Sequence, residues 1–125
     1  MSPKPRILLI DDSEATVEGL RNYLCPRFDV ITASNGLDGL KVFEEKENRP
    51  DLVITDLVMP LISGVGLIFL MKKQSPETPI IAMTGWGKEP SALATEATAD
   101  TILIKPFDLE ELDQSMDKLL VHRIR

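Results

Sequence analysis

The sequence predicts an α/β domain: a parallel sheet with helices packed on both of its faces. Three observations predict it. Short apolar runs rich in Ile, Val and Leu alternate with longer stretches of helical period from one end of the chain to the other. Strand and helix take turns without a break, which in one sheet means right-handed crossovers between parallel strands. The 125 residues, 43% hydrophobic and 27% charged, suit one domain with one core and are too few for two.

Each element has its own signal. Ile7-Leu8-Leu9-Ile10 is a continuous apolar run, as a strand covered on both faces requires. Val17, Leu20 and Leu24 follow at helical spacing, and Phe28 to Thr32 reads as a second strand. Asn35 is placed to cap a helix whose expected inner face is Leu37, Leu40 and Phe43. The third strand, Leu52 to Thr55, runs straight into Asp56. After the breakers Pro60 and Gly64 comes an almost wholly apolar helix, Val65 to Met71, closed by Lys72-Lys73. Pro79 to Met83 is the fourth strand, an Ala- and Thr-rich helix follows around Ser91 to Ala97, and Ile102-Leu103-Ile104 is the fifth strand. In the last helix Asp108 is expected to cap, with Glu111 at the capping-box position. Its Leu109, Leu112, Met116, Leu119 and Leu120 form one stripe.

Composition excludes several classes. The single cysteine, Cys25, cannot bridge within the chain, which suits a reducing compartment. Twenty acidic against 14 basic residues give a net charge of −6, unsuited to direct binding of nucleic acid or an anionic membrane. The basic start, Met1 to Arg6, precedes an apolar run that stops at Ile10, too short for a signal-peptide core. Leu52 to Met71 carries only the charge of Asp56, but Pro60, Gly64 and a change of period argue against a membrane span. The expectation is a soluble, cytoplasmic domain occupying residues 1–125, with no output domain after it. His122 is expected at the surface and Cys25 filling a helix end. Ile68 and Phe69 make the third helix apolar on more than one face, which fits either a partner surface or, as expected here, deep packing.

In sheets of this class the working site lies beyond the carboxyl ends of the strands. There the chain places Asp11-Asp12 after strand one, Asp56 after strand three, Thr84-Gly85 after strand four and Lys105-Pro106 after strand five. Alone, Asp-Asp before a helix is a cap and Asp56 a turn residue; their joint occurrence is the signal. Clustered carboxylates repel one another unless a cation joins them, and hard oxygen ligands with solvent access suit Mg²⁺. Metal and Lys105 together would neutralise an incoming phosphoryl group, Asp56 is placed to attack phosphorus, and Thr84 to bond a phosphoryl oxygen.

Residues 7–13 (ILLIDDS), 53–60 (VITDLVMP), 83–85 (MTG) and 105–107 (KPF) resemble the signature blocks of two-component response-regulator receiver domains across essentially the whole chain. The resemblance implies a flavodoxin-like (βα)5 three-layer sandwich, a five-stranded sheet in the order 2-1-3-4-5. It makes Asp56 the phosphoacceptor, carried as 4-aspartylphosphate. Mg²⁺ would be held by Asp12 directly, by Asp11 mainly through water, by Asp56 and by the Val58 backbone carbonyl. Thr84 would be the switch hydroxyl, Lys105 would pair with the phosphoryl group and Asp56, and the Lys105–Pro106 bond would be cis. It implies a sensor histidine kinase or histidine phosphotransfer protein as donor, a downstream protein target that the sequence does not name, and a homodimer linked to phosphorylation as one assembly. It also implies a protein that catalyses only its own phosphorylation and dephosphorylation.

Departures from the family pattern fall on the read-out surface. Ile102 stands where an aromatic commonly rotates inward, Thr98-Ala99 replaces the usual Gly-Ala, and Asp100-Thr101 replaces an Asp-Asp pair. Ile102 is stiff at χ1 and lacks a hydroxyl, so its response should be a small packing shift. Three rivals share the fold or the chemistry. A flavin or nucleotide binder needs a Gly- or Ser/Thr-rich phosphate loop where this chain has Asp11-Asp12-Ser13-Glu14. An aspartyl phosphatase needs a second acid where Val58 stands, and a pure interaction module would have lost a key residue. Val58 and Trp86 border the path of hydrolytic water in the family. Neither activates water, which predicts a long-lived phosphoryl group unless Trp86 points into solvent or packs on the helix around Ser91.

Overall fold

In the computed structural model of the chain, residues 4–59, 62–85 and 99–121 are described. They form β1 (Arg6–Ile10), α1 (Glu14–Leu24), β2 (Asp29–Ala33), α2 (Gly36–Glu44), a 3₁₀ turn (Lys46–Asn48), β3 (Leu52–Asp56), α3 (Gly64–Gln74), β4 (Ile80–Gly85), β5 (Thr101–Lys105) and α4 (Leu109–Leu120). The expected helix around Ser91 to Ala97, Trp86 and His122 lie outside the described residues. All pairings are parallel, in the order β2-β1-β3-β4-β5. No helix among the described residues is long and apolar enough to cross a membrane.

Alternation along the strands divides the core in two. Ile7, Leu9, Ile54, Met83 and Leu103 point to one face and meet Leu20 and Leu24 of α1 with Leu112, Met116 and Leu120 of α4. Leu8, Ile10, Val53, Ile80 and Ala82 point to the other and meet Phe43 of α2 with Leu67, Ile68 and Met71 of α3. Because both faces are covered, β1 and β3 read as unbroken apolar runs.

Helix starts follow local chemistry. Ser13 Oγ accepts from Thr16 N–H at 3.3 Å, Asn35 Oδ1 from Asp38 N–H at 2.8 Å, and Ser63 Oγ from Gly66 N–H at 3.2 Å. Asp108 holds the N-cap position of α4 but makes no side-chain capping bond. Its carboxylate, with Glu110 and Glu111, acts on the helix through charge alone.

Four packing expectations are corrected. Leu37 is 46% exposed, and Gly36, Gly39 and Phe43 form the inner line of α2 instead. Six residues turn a helix by about 240° relative to Phe43, so Leu37 cannot share its face, while a Cβ on Gly39 would meet Ile10 Cδ1 at 2.5 Å. Leu109 is exposed at the first turn of α4, ahead of the stripe that reaches the sheet. Ile68 is buried as expected, but Phe69 is 57% exposed, its ring centroid 5.6 Å from the Lys73 ammonium. Cys25 sits at the C-cap of α1 with its side chain exposed rather than filling the helix end.

Candidate functional site

The carboxyl ends of β1, β3, β4 and β5 bring together five side chains expected there: Asp11, Asp12, Asp56, Thr84 and Lys105. Their positions follow from strand alternation. Asp56 is the last residue of β3 and continues the Ile54 row; Lys105 ends β5 and continues the Leu103 row. Both therefore lie toward the α1/α4 side of the sheet. Thr84 lies within β4, one residue from its end, and continues the Ala82 row toward α2 and α3. It had been expected just beyond the strand. Pairing with Ile104, and of Gly85 with Lys105, extends β4 past the apolar run that marked it.

Lys105 is the electrostatic hub. Its Nζ lies 2.9 Å from Asp11 Oδ2 and 3.6 Å from Asp56 Oδ1. The ammonium thus pairs with Asp56, as expected, but lies closer to Asp11. Asp11 is 1% exposed, and its second oxygen accepts from Ser13 N–H at 2.9 Å. Asp56 is 7% exposed, with Oδ1 accepting from Leu57 N–H at 3.0 Å. Burial pushes the Asp56 carboxyl above the ordinary carboxylate range; the Lys105 ammonium opposes the shift and the charges of Asp11 and Asp12 add to it.

Asp11, Asp12 and Asp56 each present a carboxylate oxygen within 4.8 Å of the other two, Asp12 being the exposed member. Three carboxylates against one ammonium leave negative charge uncompensated. A hard divalent cation fits this all-oxygen donor set. Val58 stands two residues beyond Asp56 at the mouth of the site, 72% exposed. The Thr84 hydroxyl is buried and donates to Gly85 O at 3.3 Å. Ile102 is half-buried and packs on the α2/α3 side with Ala82 as its β4 partner. The Lys105–Pro106 peptide bond is cis, as expected.

Two residues at the site carried no chemical signal in the sequence. Gly64, read there only as a breaker, lets the start of α3 close on the backbone behind Asp56. Its N–H donates to Leu57 O at 2.9 Å, and a Cβ would lie 2.4 Å from Asp56 O. Thr55 is fully buried, and its hydroxyl donates to Asp56 O at 3.0 Å.

Comparison with known proteins agrees with this geometry. Residues 7–117 match the response regulator receiver domain family. The chain is 32% identical over 121 residues to the transcriptional regulatory protein PrrA of Mycobacterium tuberculosis, covering 95% of this chain and 51% of that protein. It is 36% identical over 124 residues to the transcriptional regulatory protein GlrR of Escherichia coli, covering 96% of this chain and 27% of that protein. The chain therefore spans about half the length, or less, of these relatives. A response regulator receiver domain protein from Clostridium thermocellum superposes with a TM-score of 0.87 at 31% identity, covering 95% of this chain and 96% of that one. A family match that begins in β1 and ends in α4 takes in every strand that contributes to the site, and the chain belongs to the receiver domains of two-component response regulators.

Proposed function

We propose that Asp56 is the phosphoacceptor and that the chain relays a signal by carrying a phosphoryl group there. The observation that carries this reading is the placement of Asp56: a nearly buried carboxylate with one oxygen held by Leu57 N–H and an ammonium 3.6 Å away. In transfer, the free Asp56 oxygen attacks phosphorus, a P–O bond forms, and the P–N bond to a donor histidine breaks. The leaving imidazole nitrogen keeps the electron pair and takes up a proton. Lys105 shifts from Asp11 toward the phosphoryl oxygens, and Thr84 turns its hydroxyl from Gly85 O toward them. Asp11, Asp12, Asp56 and the Val58 carbonyl would hold Mg²⁺, which supplies positive charge against the transferring oxygens.

The donor is a sensor histidine kinase or a histidine phosphotransfer protein. The chain acts in the cytoplasm, turns over nothing but its own aspartyl phosphate, and passes the signal through protein contact. Its net charge of −6 argues against contact with nucleic acid by this domain itself. The relatives PrrA and GlrR are transcriptional regulatory proteins, and a target in such a system is the one this reading favours.

Incubation with a small phosphodonor tests the reading. With Mg²⁺ the chain should gain one acid-stable, base-labile phosphoryl group; chelation should abolish labelling, as should Asp56→Asn. Labelling of Asp56→Asn at the wild-type rate would put the phosphoacceptor elsewhere.

A further inference from the structure

Among the described residues strand β2 is an edge of the sheet, bonded to β1 alone, and its open side runs between two grooves of opposite charge. Asp29 N–H donates to Pro5 O at 2.9 Å, and Ala33 O accepts from Asp11 N–H at 3.2 Å. Backbone groups of alternate residues point to opposite sides of a strand in a parallel ladder. Asp29, Ile31 and Ala33 therefore face β1, and Val30 and Thr32 turn their N–H and C=O groups to the open side.

Beside the carboxyl end of β2 lies a groove of about 530 Å³, with Thr32 on its wall and Asp12, Glu14, Glu18 and Asp38 around it; Arg21 stands between this groove and the next and lines both. Beside the amino end a second groove, about 440 Å³, is lined by Lys4, Arg6, Arg21 and Val30. Arg6 is paired to Asp29 at 3.1 Å, so the exposed Lys4 and Arg21 carry the positive charge of that end. The edge is thus dipolar along its length, acidic where β2 ends and basic where it starts.

Charges that merely guard a strand edge repel any second strand. This arrangement instead matches one partner end for end: the same edge run in the opposite direction. We propose that the β2 edge is an interface between two copies of this chain, paired antiparallel about a twofold axis at Ile31. Val30 then lies opposite the partner's Thr32, and Thr32 opposite the partner's Val30, each pair exchanging both of its N–H···O bonds. The twofold carries the acids of one α1 toward the partner's Arg21, so a single self-complementary patch serves both protomers. A parallel arrangement would set acid on acid. The interface does not depend on phosphorylation of Asp56.

Sedimentation velocity on the whole chain, in chelator, from about 10 μM to about 1 mM tests it at low salt and again near 0.5 M salt, where screening acts within a few ångström. The weight-average mass should climb toward twice the monomer value, and high salt should move the midpoint upward by about tenfold or more. Glu14→Lys/Glu18→Lys, with Asp12 and Asp38 left in place, cancels the charge of the acidic end, and Lys4→Glu/Arg21→Glu makes both ends acidic. Each double variant should be monomeric alone, and an equimolar mixture should recover the dimer. Thr32→Pro removes one outward N–H from an edge strand that tolerates proline and should also abolish it. If that variant does not fold, the charge-variant mixture decides. A wild-type chain monomeric throughout overturns the proposal, whether or not an added peptide binds the edge. So does a dimer that survives the charge reversals, or a mixture that stays monomeric.

Discussion

Replacing Gly64 with alanine puts one methyl group into the tightest space behind Asp56. Its Cβ would lie 2.4 Å from the Asp56 carbonyl oxygen and 2.5 Å from Leu57 Cα. Carbon contacts are comfortable at about 3.5–4.0 Å, so α3 and the end of β3 must part by roughly 1 Å. Both obstacles are backbone and cannot swing aside as a side-chain tip can. Overpacking of this kind costs about 1–3 kcal/mol, and the roughly 1 kcal/mol gained by giving a helix alanine in place of glycine offsets part of it. The net loss should be about 0–2 kcal/mol, or up to roughly 8 °C in Tm for a chain of this size.

Labelling should suffer more than that stability loss explains. The displaced carbonyl belongs to Asp56 itself, and the displaced Leu57 carries the N–H that holds Asp56 Oδ1 at 3.0 Å. A shift of about 1 Å in a reacting group can cost on the order of 10²-fold in rate. The assay is phosphorylation by a small phosphodonor at a temperature where the variant is fully folded by circular dichroism. Gly19→Ala is the comparison: its Cβ would meet nothing within 4 Å, on the exposed side of α1. That variant should gain about 0.5–1 kcal/mol and label at the wild-type rate. A folded Gly64→Ala chain labelled within about twofold of wild type would refute the argument, since a real 1 Å displacement could not be so cheap.

Burial raises the Asp56 pKa, so the native state holds that proton more tightly than the unfolded chain. The contribution of this group to stability should fall as pH rises from the ordinary carboxylate value through the raised one. Asp56→Asn should therefore melt above wild type at neutral pH in chelator, an advantage that thermal melts should show shrinking as pH falls toward the ordinary carboxylate range. Wild-type labelling by a small donor should rise with pH through the same window. Asp100 Oδ2 accepts from Ile80 N–H at 2.8 Å and from Lys72 Nζ at 2.7 Å; Asp100→Ala should cost about 1.5–3 kcal/mol in urea unfolding. Val58→Asn places a water-orienting amide at the mouth of the site, and aspartyl-phosphate decay in Mg²⁺ should quicken severalfold; decay no faster than wild type would show that Val58 is not what prolongs the phosphoryl group.

What the sequence made legible was whatever repeats or clusters. The apolar runs of β1 and β3 could only be doubly covered strands, and the acids and the lysine stood where those strands end. What it hid depends on partners far along the chain. Leu37 drew the inner face of α2 toward itself, whereas Leu40 and Phe43 do pack on the core and Gly39, the residue without a side chain, lets the helix settle on Ile10. Phe69 looked like core because its neighbours are; only the path of α3 across the sheet leaves it beside Lys73. Gly64 read as a breaker for the same reason. Nothing local says that the Asp56 backbone lies against it. The lean of Lys105 toward Asp11 was equally invisible, being fixed by where the ends of β5 and β1 stand in space.

The division of the sheet into two faces gives the proposed switch its direction. Asp56 and Lys105 belong to rows that run down to α1 and α4, so charge added at Asp56 first disturbs that side. Thr84 belongs to the row on the opposite face, with Ala82 and its β4–β5 partner Ile102. Its register partner in β5 is Ile104, itself half-exposed. Among the five side chains gathered at the strand ends, Thr84 alone stands in a β4 row that packs toward α2 and α3. A hydroxyl that leaves Gly85 O for a phosphoryl oxygen must move across the strand end, and space opens behind it between Ala82 and Ile104. An aromatic side chain would swing into that space. Ile102, branched at Cβ and already packed against the core, can only lean, so the motion should reach the β5 edge as a small shift in packing and not as a rotation. A slip of one residue between β4 and β3 would turn Thr84 to the other face and sever the link. The register that pairs Asp56 with Met83 is thus as much a part of the proposed device as the carboxylate that takes the phosphoryl group.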